Sequence, residues 1–148
     1  MGRGWEAGGA WSSCYDLPVQ PTSALADVLP PGVRLVVGFG SHGTPRARPD
    51  SDVDLLVELD DDTPEARFAA AAALSAHFER DVDVVFASDA GPQVRFEVAR
   101  TGRPLAARSP QEWTRFKTAA MIDWWDWQPT ATRMHAAYVA RLRAKLGA

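Results

Sequence analysis

The chain has few means of stapling itself or of crossing a membrane. Its single cysteine, Cys14, has no partner for an internal disulfide and no second thiol for a Cys-rich zinc site. The three histidines are spread along the sequence at His42, His77 and His135, so no compact His ligand pattern for zinc is present either. No apolar run approaches the roughly 20 residues that span a bilayer, and the opening MGRGWEAGGAWSSCYDLP has no continuous apolar segment to serve as a signal peptide. A cytosolic protein with no membrane partner is the expectation. There is no excess of cations: 16 Lys and Arg against 19 Asp and Glu leave a net charge of -3, which argues against strong nucleic-acid binding through the overall field.

What remains is a globular composition of one-domain size, 148 residues with 46% apolar side chains. Residues 1–22 are rich in Gly, Ser and Pro and follow neither a period of 2 nor of 3.6, which predicts a poorly ordered arm. SALADVL then reads as a short helix capped by Thr22 or Ser23 and stopped by Pro30-Pro31-Gly32. RLVVGF, Arg34 to Phe39, is a β-branched apolar strand ending in Gly40-Ser41, where the backbone can turn. The prolines and glycine of SHGTPRARPDS predict a loop.

DVDLLVEL, Asp52 to Leu59, reads as a second strand. On a period of 2, Val53, Leu55, Val57 and Leu59 share one face, and Asp52, Asp54, Leu56 and Glu58 the other. Thr63-Pro64-Glu65 supplies a cap, a first-turn proline and a first-turn acid for an alanine-rich helix to about Glu79. DVDVVFA, Asp81 to Ala87, predicts a third strand with Asp81, Asp83 and Val85 on one face. A helix from about Gly91 to Arg100 and an edge strand from Pro104 to Arg108 follow. Two closing helices are expected, one with a stripe of Trp113, Phe116, Ala120, Trp124 and Trp127, the other with His135, Tyr138, Val139, Leu142 and Leu146. The tryptophans read as core or interface in preference to a base-stacking platform, because their spacing keeps the helical period.

The chemistry concentrates at three aspartates. Asp52 and Asp54 project from one face of one strand, about 6.5 to 7 Å apart at the backbone, so both can reach one site. Asp83 joins them if the third strand lies alongside. Three carboxylates in a small volume repel unless cations neutralise them, and hard oxygen donors point to Mg²⁺ or Mn²⁺. The Gly40-Ser41 turn offers backbone N–H groups and a hydroxyl to a phosphate. Arg46 and Arg48, in the intervening loop, either neutralise triphosphate charge or are two solvated loop arginines.

Together these pieces carry a resemblance. GFGSHGTPRARPDSDVDLLV resembles the minimal nucleotidyltransferase branch of the DNA polymerase β superfamily, whose signature is Gly-Ser, ten residues, then Asp-x-Asp. The ten here are His42 to Ser51. The sequence departs from the usual Gly-Ser-x-Ala-x-Gly in having Gly43 two residues after Ser41 and Pro45 in place of the second glycine. The resemblance covers about Val33 to Arg108 and implies a polymerase β-like α/β (α+β) fold, with a short mixed sheet flanked by helices in two or three layers and the acids on an exposed sheet face. With the periodicity, the chain divides into a poorly ordered arm (1–22), a nucleotidyltransferase-like core (23–108) and a carboxyl-terminal helical extension (109–148).

The resemblance also implies roles. Ser41 and the backbone at Gly40 would hold the β and γ phosphates, Asp52 and Asp54 would carry two divalent cations, and Asp83, matching the later acid of VDVVF, would bind the catalytic metal and orient the attacking hydroxyl. ATP or another nucleoside triphosphate is the implied substrate. The implied acceptor is a tyrosine of a HEPN-domain toxin, which would make the chain an antitoxin. An aminoglycoside-type small molecule, a catalytically weak nucleotide- or partner-binding module and a homodimer remain open.

Overall fold

The computed structural model describes residues 23–40, 53–79 and 81–147. The arm expected over residues 1–22 lies outside them. Eight elements follow in chain order: α1 (Ser23–Val28), β1 (Val33–Phe39), β2 (Val53–Leu59), α2 (Pro64–Phe78), β3 (Val82–Phe86), α3 (Pro92–Thr101), β4 (Arg103–Ala107) and α4 (Pro110–Leu146).

The four strands form one mixed sheet in the order β3-β2-β1-β4. β1 runs antiparallel to both β2 and β4, while β2 and β3 are parallel, joined by the α2 crossover. The start of α2 is built as its sequence dictates. Thr63 is the cap, its hydroxyl accepting a hydrogen bond from the Ala66 N–H at 3.2 Å, and Pro64 fills the first turn, where a missing N–H costs nothing.

Alternation along β1 and β2 sends apolar side chains to both faces, and helices cover both. On one face Val36, Val53, Leu55 and Val57 pack with Leu25 of α1 and Ala70 and Leu74 of α2. On the other, Leu35, Val37 and Leu56 pack with Val98 and Ala99 of α3 and with Trp113, Phe116 and Ala120 of α4. The architecture is therefore three-layered. This corrects the expectation of an exposed sheet face behind the acids, because Leu56, two residues after Asp54 and on its face, is fully buried under α3 and α4.

The two expected closing helices are one. α4 runs unbroken for 37 residues with Pro129 inside it. A proline removes one intrahelical hydrogen bond and crowds the carbonyl four residues back, at about 3 kcal/mol. Helix-forming sequence on both sides, and anchorage of the first half on the sheet and α3, carry the helix through. Among the described residues no helix is long and apolar enough to cross a membrane.

Ion pairs fasten the end of the sheet remote from the aspartates. Arg108 forks onto Asp60 at 2.6 and 2.7 Å, and Arg34 reaches Glu112 at 2.9 Å. The Arg108 hydrogen bonds hold the Asp60 carboxyl below its ordinary value. Burial pushes the Glu112 carboxyl up, but hydrogen bonds from Arg34 and Arg115 outweigh it and leave it lowered. The β3–α3 turn is tied back to the start of α2 by Arg67, which binds Asp62, Asp89 and Ser88 together. Hydrogen bonds from Arg67 and Ser88 hold the Asp62 carboxyl down at about 2.

Candidate active site

Parallel pairing of β2 and β3 decides the site. In that register Asp54 stands directly opposite Asp83, as Val53 stands opposite Val82 and Leu55 opposite Val84. Neighbours in register on adjacent strands lie about 4.8 Å apart at the backbone and project to the same face. Asp54 and Asp83 are thus adjacent carboxylates at the amino-terminal ends of two parallel strands. Asp54 is half-buried and Asp83 exposed, so the pair opens to solvent on the Asp83 side.

The third wall is β1. Phe39 pairs with Asp54, and the chain leaves the sheet at Gly40 with φ +87°, a left-handed conformation that glycine adopts without penalty. Gly40 has a second reason to be glycine. A Cβ placed there would stand 2.1 Å from Asp54 Oδ2 and 2.9 Å from its carboxyl carbon. The Asp54 carboxylate therefore lies directly against the backbone at the turn expected to hold phosphate. The sequence assigns Gly40 to a turn and to phosphate binding, not to contact with Asp54; a glycine ending a β-branched strand is the one signal for this close approach.

Of the residues singled out in the sequence, the structure brings Gly40, Asp54 and Asp83 together. Ser41, Arg46, Arg48 and Asp52, with His42, lie outside the described residues. Among the described residues no three His, Cys, Asp or Glu side chains form a metal-binding group. The two adjacent carboxylates nevertheless fit a divalent ion in chemistry: they are hard oxygen donors whose mutual repulsion a cation relieves. Asp81, one residue before β3, is exposed.

A cavity of about 190 Å³ sits at the opposite ends of β2 and β3, walled by Glu58, Asp62, Phe86, Ser88 and Arg95 among others. Its charges are already engaged. Asp62 is bound to Arg67, Glu58 to Arg115, and Arg95 to Asp123 at 2.8 Å. The adjacent carboxylates Asp54 and Asp83 are at the other end of the two strands.

Trp113 and Trp124 pack as their helical period predicts, while Trp125 is 64% exposed. Trp113 is buried and stacked on Phe116 with ring centroids 5.8 Å apart, and Trp124 stacks on Phe96 of α3 at 4.8 Å. They join α4 to the sheet and to α3.

Comparison with known proteins agrees with this fold. No curated protein matches the sequence. A toxin–antitoxin complex solved with AMP-PNP contains a chain similar in fold, with TM-score 0.65 and 22% identity over 78% of this chain and 94% of that one. A tri-AMPylated HEPN toxin from Shewanella oneidensis in complex with MNT antitoxin gives TM-score 0.60 and 21% identity over 78% of this chain and 91% of the other. The toxin–antitoxin complex MntA-HepT gives TM-score 0.60 and 21% identity over 78% and 92%. These likenesses establish a shared fold. The profile of the family described as "Polymerase beta, Nucleotidyltransferase" matches residues 28–111, from the end of α1 through the start of α4, and the chain belongs to that family.

Proposed function

We propose that the protein transfers a nucleoside monophosphate, AMP from ATP, to a hydroxyl group on a partner protein. The observation that carries this reading is the in-register pair Asp54 and Asp83 with Gly40 closed against it. In such a reaction the acceptor oxygen bonds to the α-phosphorus, the bond to the bridging oxygen of the β-phosphate breaks, and pyrophosphate departs with that electron pair. Asp83, exposed on the open side, receives the acceptor, orients its hydroxyl and takes its proton. Asp54 is held by the β1 turn on the triphosphate side, so its charge needs no reorganisation during reaction. The backbone at Gly40, with Ser41, Arg46 and Arg48, binds the β and γ phosphates. Asp54 and Asp83, with Asp52, would hold Mg²⁺ or Mn²⁺, which would supply positive charge to offset that of the triphosphate.

The acceptor that the fold likeness favours is a HEPN-type toxin, since chains of this fold occur in complexes with such a toxin, one of them AMPylated. An antitoxin that silences its partner by AMPylation, on a tyrosine as the family resemblance implies, follows from that reading.

The test is transfer of labelled AMP to a supplied acceptor, alongside thermal stabilisation by ATP with and without divalent ion. ATP raises the melting temperature only with Mg²⁺ or Mn²⁺, because a ligand selective for the native state stabilises it. Asp83→Asn loses transfer by about a hundredfold or more, the scale for losing a preorganised electrostatic group, while Asp81→Asn keeps most of it. Equal stabilisation by ATP in EDTA, or wild-type transfer by Asp83→Asn, overturns the assignment.

A further inference from the structure

The sheet has two edges, and they are built differently. β4 carries Pro104, which has no N–H to offer, and its pairing with β1 slips between Val36 and Val37. Both features blunt an edge against further strands. β3 has neither: VDVVF is β-branched and aromatic apart from Asp83, and its pairing with β2 holds one register throughout. The hydrogen bonds from Val53 N–H to Asp81 O and from Ala87 N–H to Val57 O show that odd-numbered residues along β3 turn their backbone groups toward β2. Val82 and Val84 therefore turn their N–H and C=O outward, and among the described residues no hydrogen bond meets them there. Asp83 lies between them, exposed, with its side chain on the face shared with Asp54. Asp81 is exposed as well, and neither of these two carboxylates enters an ion pair among the described residues.

We propose that the acceptor protein docks on this edge as an extended segment, pairing antiparallel with β3 and carrying its hydroxyl residue in register with Asp83. The proposal rests on the transfer reading and deepens it by naming how the acceptor is held. Antiparallel pairing is the more stable ladder per residue. It lets one residue of the segment exchange two hydrogen bonds with Val82 and another do so with Val84. The residue between those two then stands opposite Asp83 in a non-hydrogen-bonded pair, where Cα atoms approach to about 4.5 Å and both side chains project to one face. A tyrosine there reaches over the Asp83 carboxylate from the side of β3 away from Asp54. On the same face, one neighbour stands opposite Asp81, which favours Lys or Arg, and the other opposite Val85, which favours an apolar side chain. Main-chain bonds supply the affinity and these alternate side chains the specificity, as when a sheet edge takes up an extended peptide. The partner segment thus reads apolar, any residue, tyrosine, any residue, basic.

The probe is the peptide acetyl-Lys-Val-Thr-Tyr-Val-Arg-Lys-amide, added to the full chain with Mg²⁺. Its Tyr, Arg and first Val take the places opposite Asp83, Asp81 and Val85. In amide-resolved NMR the N–H groups of Val82 and Val84 shift and exchange more slowly as the peptide is raised to about 1 mM. The same peptide N-methylated at Thr and at the Val after Tyr has lost the two donors that would meet β3, and it binds at least about tenfold more weakly. Val84→Pro removes one outward donor, a change that an edge strand tolerates, and weakens binding likewise. ATP with Mg²⁺ still raises the melting temperature of that variant as it does that of wild type. The N-methylated peptide decides the question even where the variant folds poorly. No binding at about 1 mM, equal binding of both peptides, or shifts confined to other elements overturns the proposal. Protection of Val82 and Val84 in a dimer of the chain alone also overturns it, by assigning the edge to a second copy. Labelled ATP separates docking from transfer. A peptide that protects the edge yet receives no AMP refutes the transfer reading and leaves the docking edge standing. AMP passed equally to both peptides refutes the docking edge and leaves transfer standing.

Discussion

Replacing Gly40 by alanine tests the geometry of the site at its tightest point. The added Cβ would lie 2.1 Å from Asp54 Oδ2, and real Cβ atoms essentially never come within 3.0 Å of a neighbour, so the carboxylate must retreat by at least about 0.9 Å. The φ of +87° adds a backbone cost of about 1–2 kcal/mol for any residue with a Cβ. Two effects of different size follow. Stability falls by at least about that backbone cost. Activity falls further, since displacing a catalytic group by about 1 Å costs on the order of a hundredfold in rate. Gly32→Ala is the control: nothing lies within 4 Å of its Cβ position, so the change leaves transfer unaltered. The assay pairs urea denaturation in EDTA with labelled AMP transfer. Wild-type transfer by Gly40→Ala would refute the claim that the Asp54 carboxylate works from its place against the turn.

Two further changes probe the frame. Phe116→Ala removes a fully buried ring stacked on Trp113 and should destabilise the fold by about 3–5 kcal/mol, read as a lower denaturation midpoint. Asp62, held at about 2 against an ordinary 3.8 by Arg67 and Ser88, contributes stability that is present above pH 3.8 and lost as pH falls toward 2. Asp62→Asn should therefore flatten the acid side of the stability curve in that window, and an unchanged curve would refute the role given to Arg67.

Much of the fold is legible in local sequence because the signals are local. The Thr63-Pro64-Glu65 start of α2 needs only a hydroxyl, a fixed φ and a first-turn charge, and it forms as read. The placement of Asp54 on the same face as Leu56 follows from strand alternation alone. The Trp113-to-Trp127 stripe follows from helical period, and its packing on the sheet and α3 agrees with it.

Other features depend on contacts between distant segments, which no window of sequence contains. Asp52 and Asp54 could be read as a pair from their spacing, but that Asp83 meets Asp54 depends on β3 docking parallel to β2 with zero offset, a choice made by the α2 crossover and the cores on both faces. Likewise, Pro129 is a local stop signal overridden because the first half of α4 is anchored by Trp113, Phe116 and Ala120 on the sheet. The burial of both sheet faces, which closed the face behind the aspartates, had the same origin. Sequence determined the chemistry, since carboxylates, glycine and their spacing are chain properties; tertiary structure decided their convergence, because bringing side chains 29 positions apart to neighbouring strands requires the whole core to form.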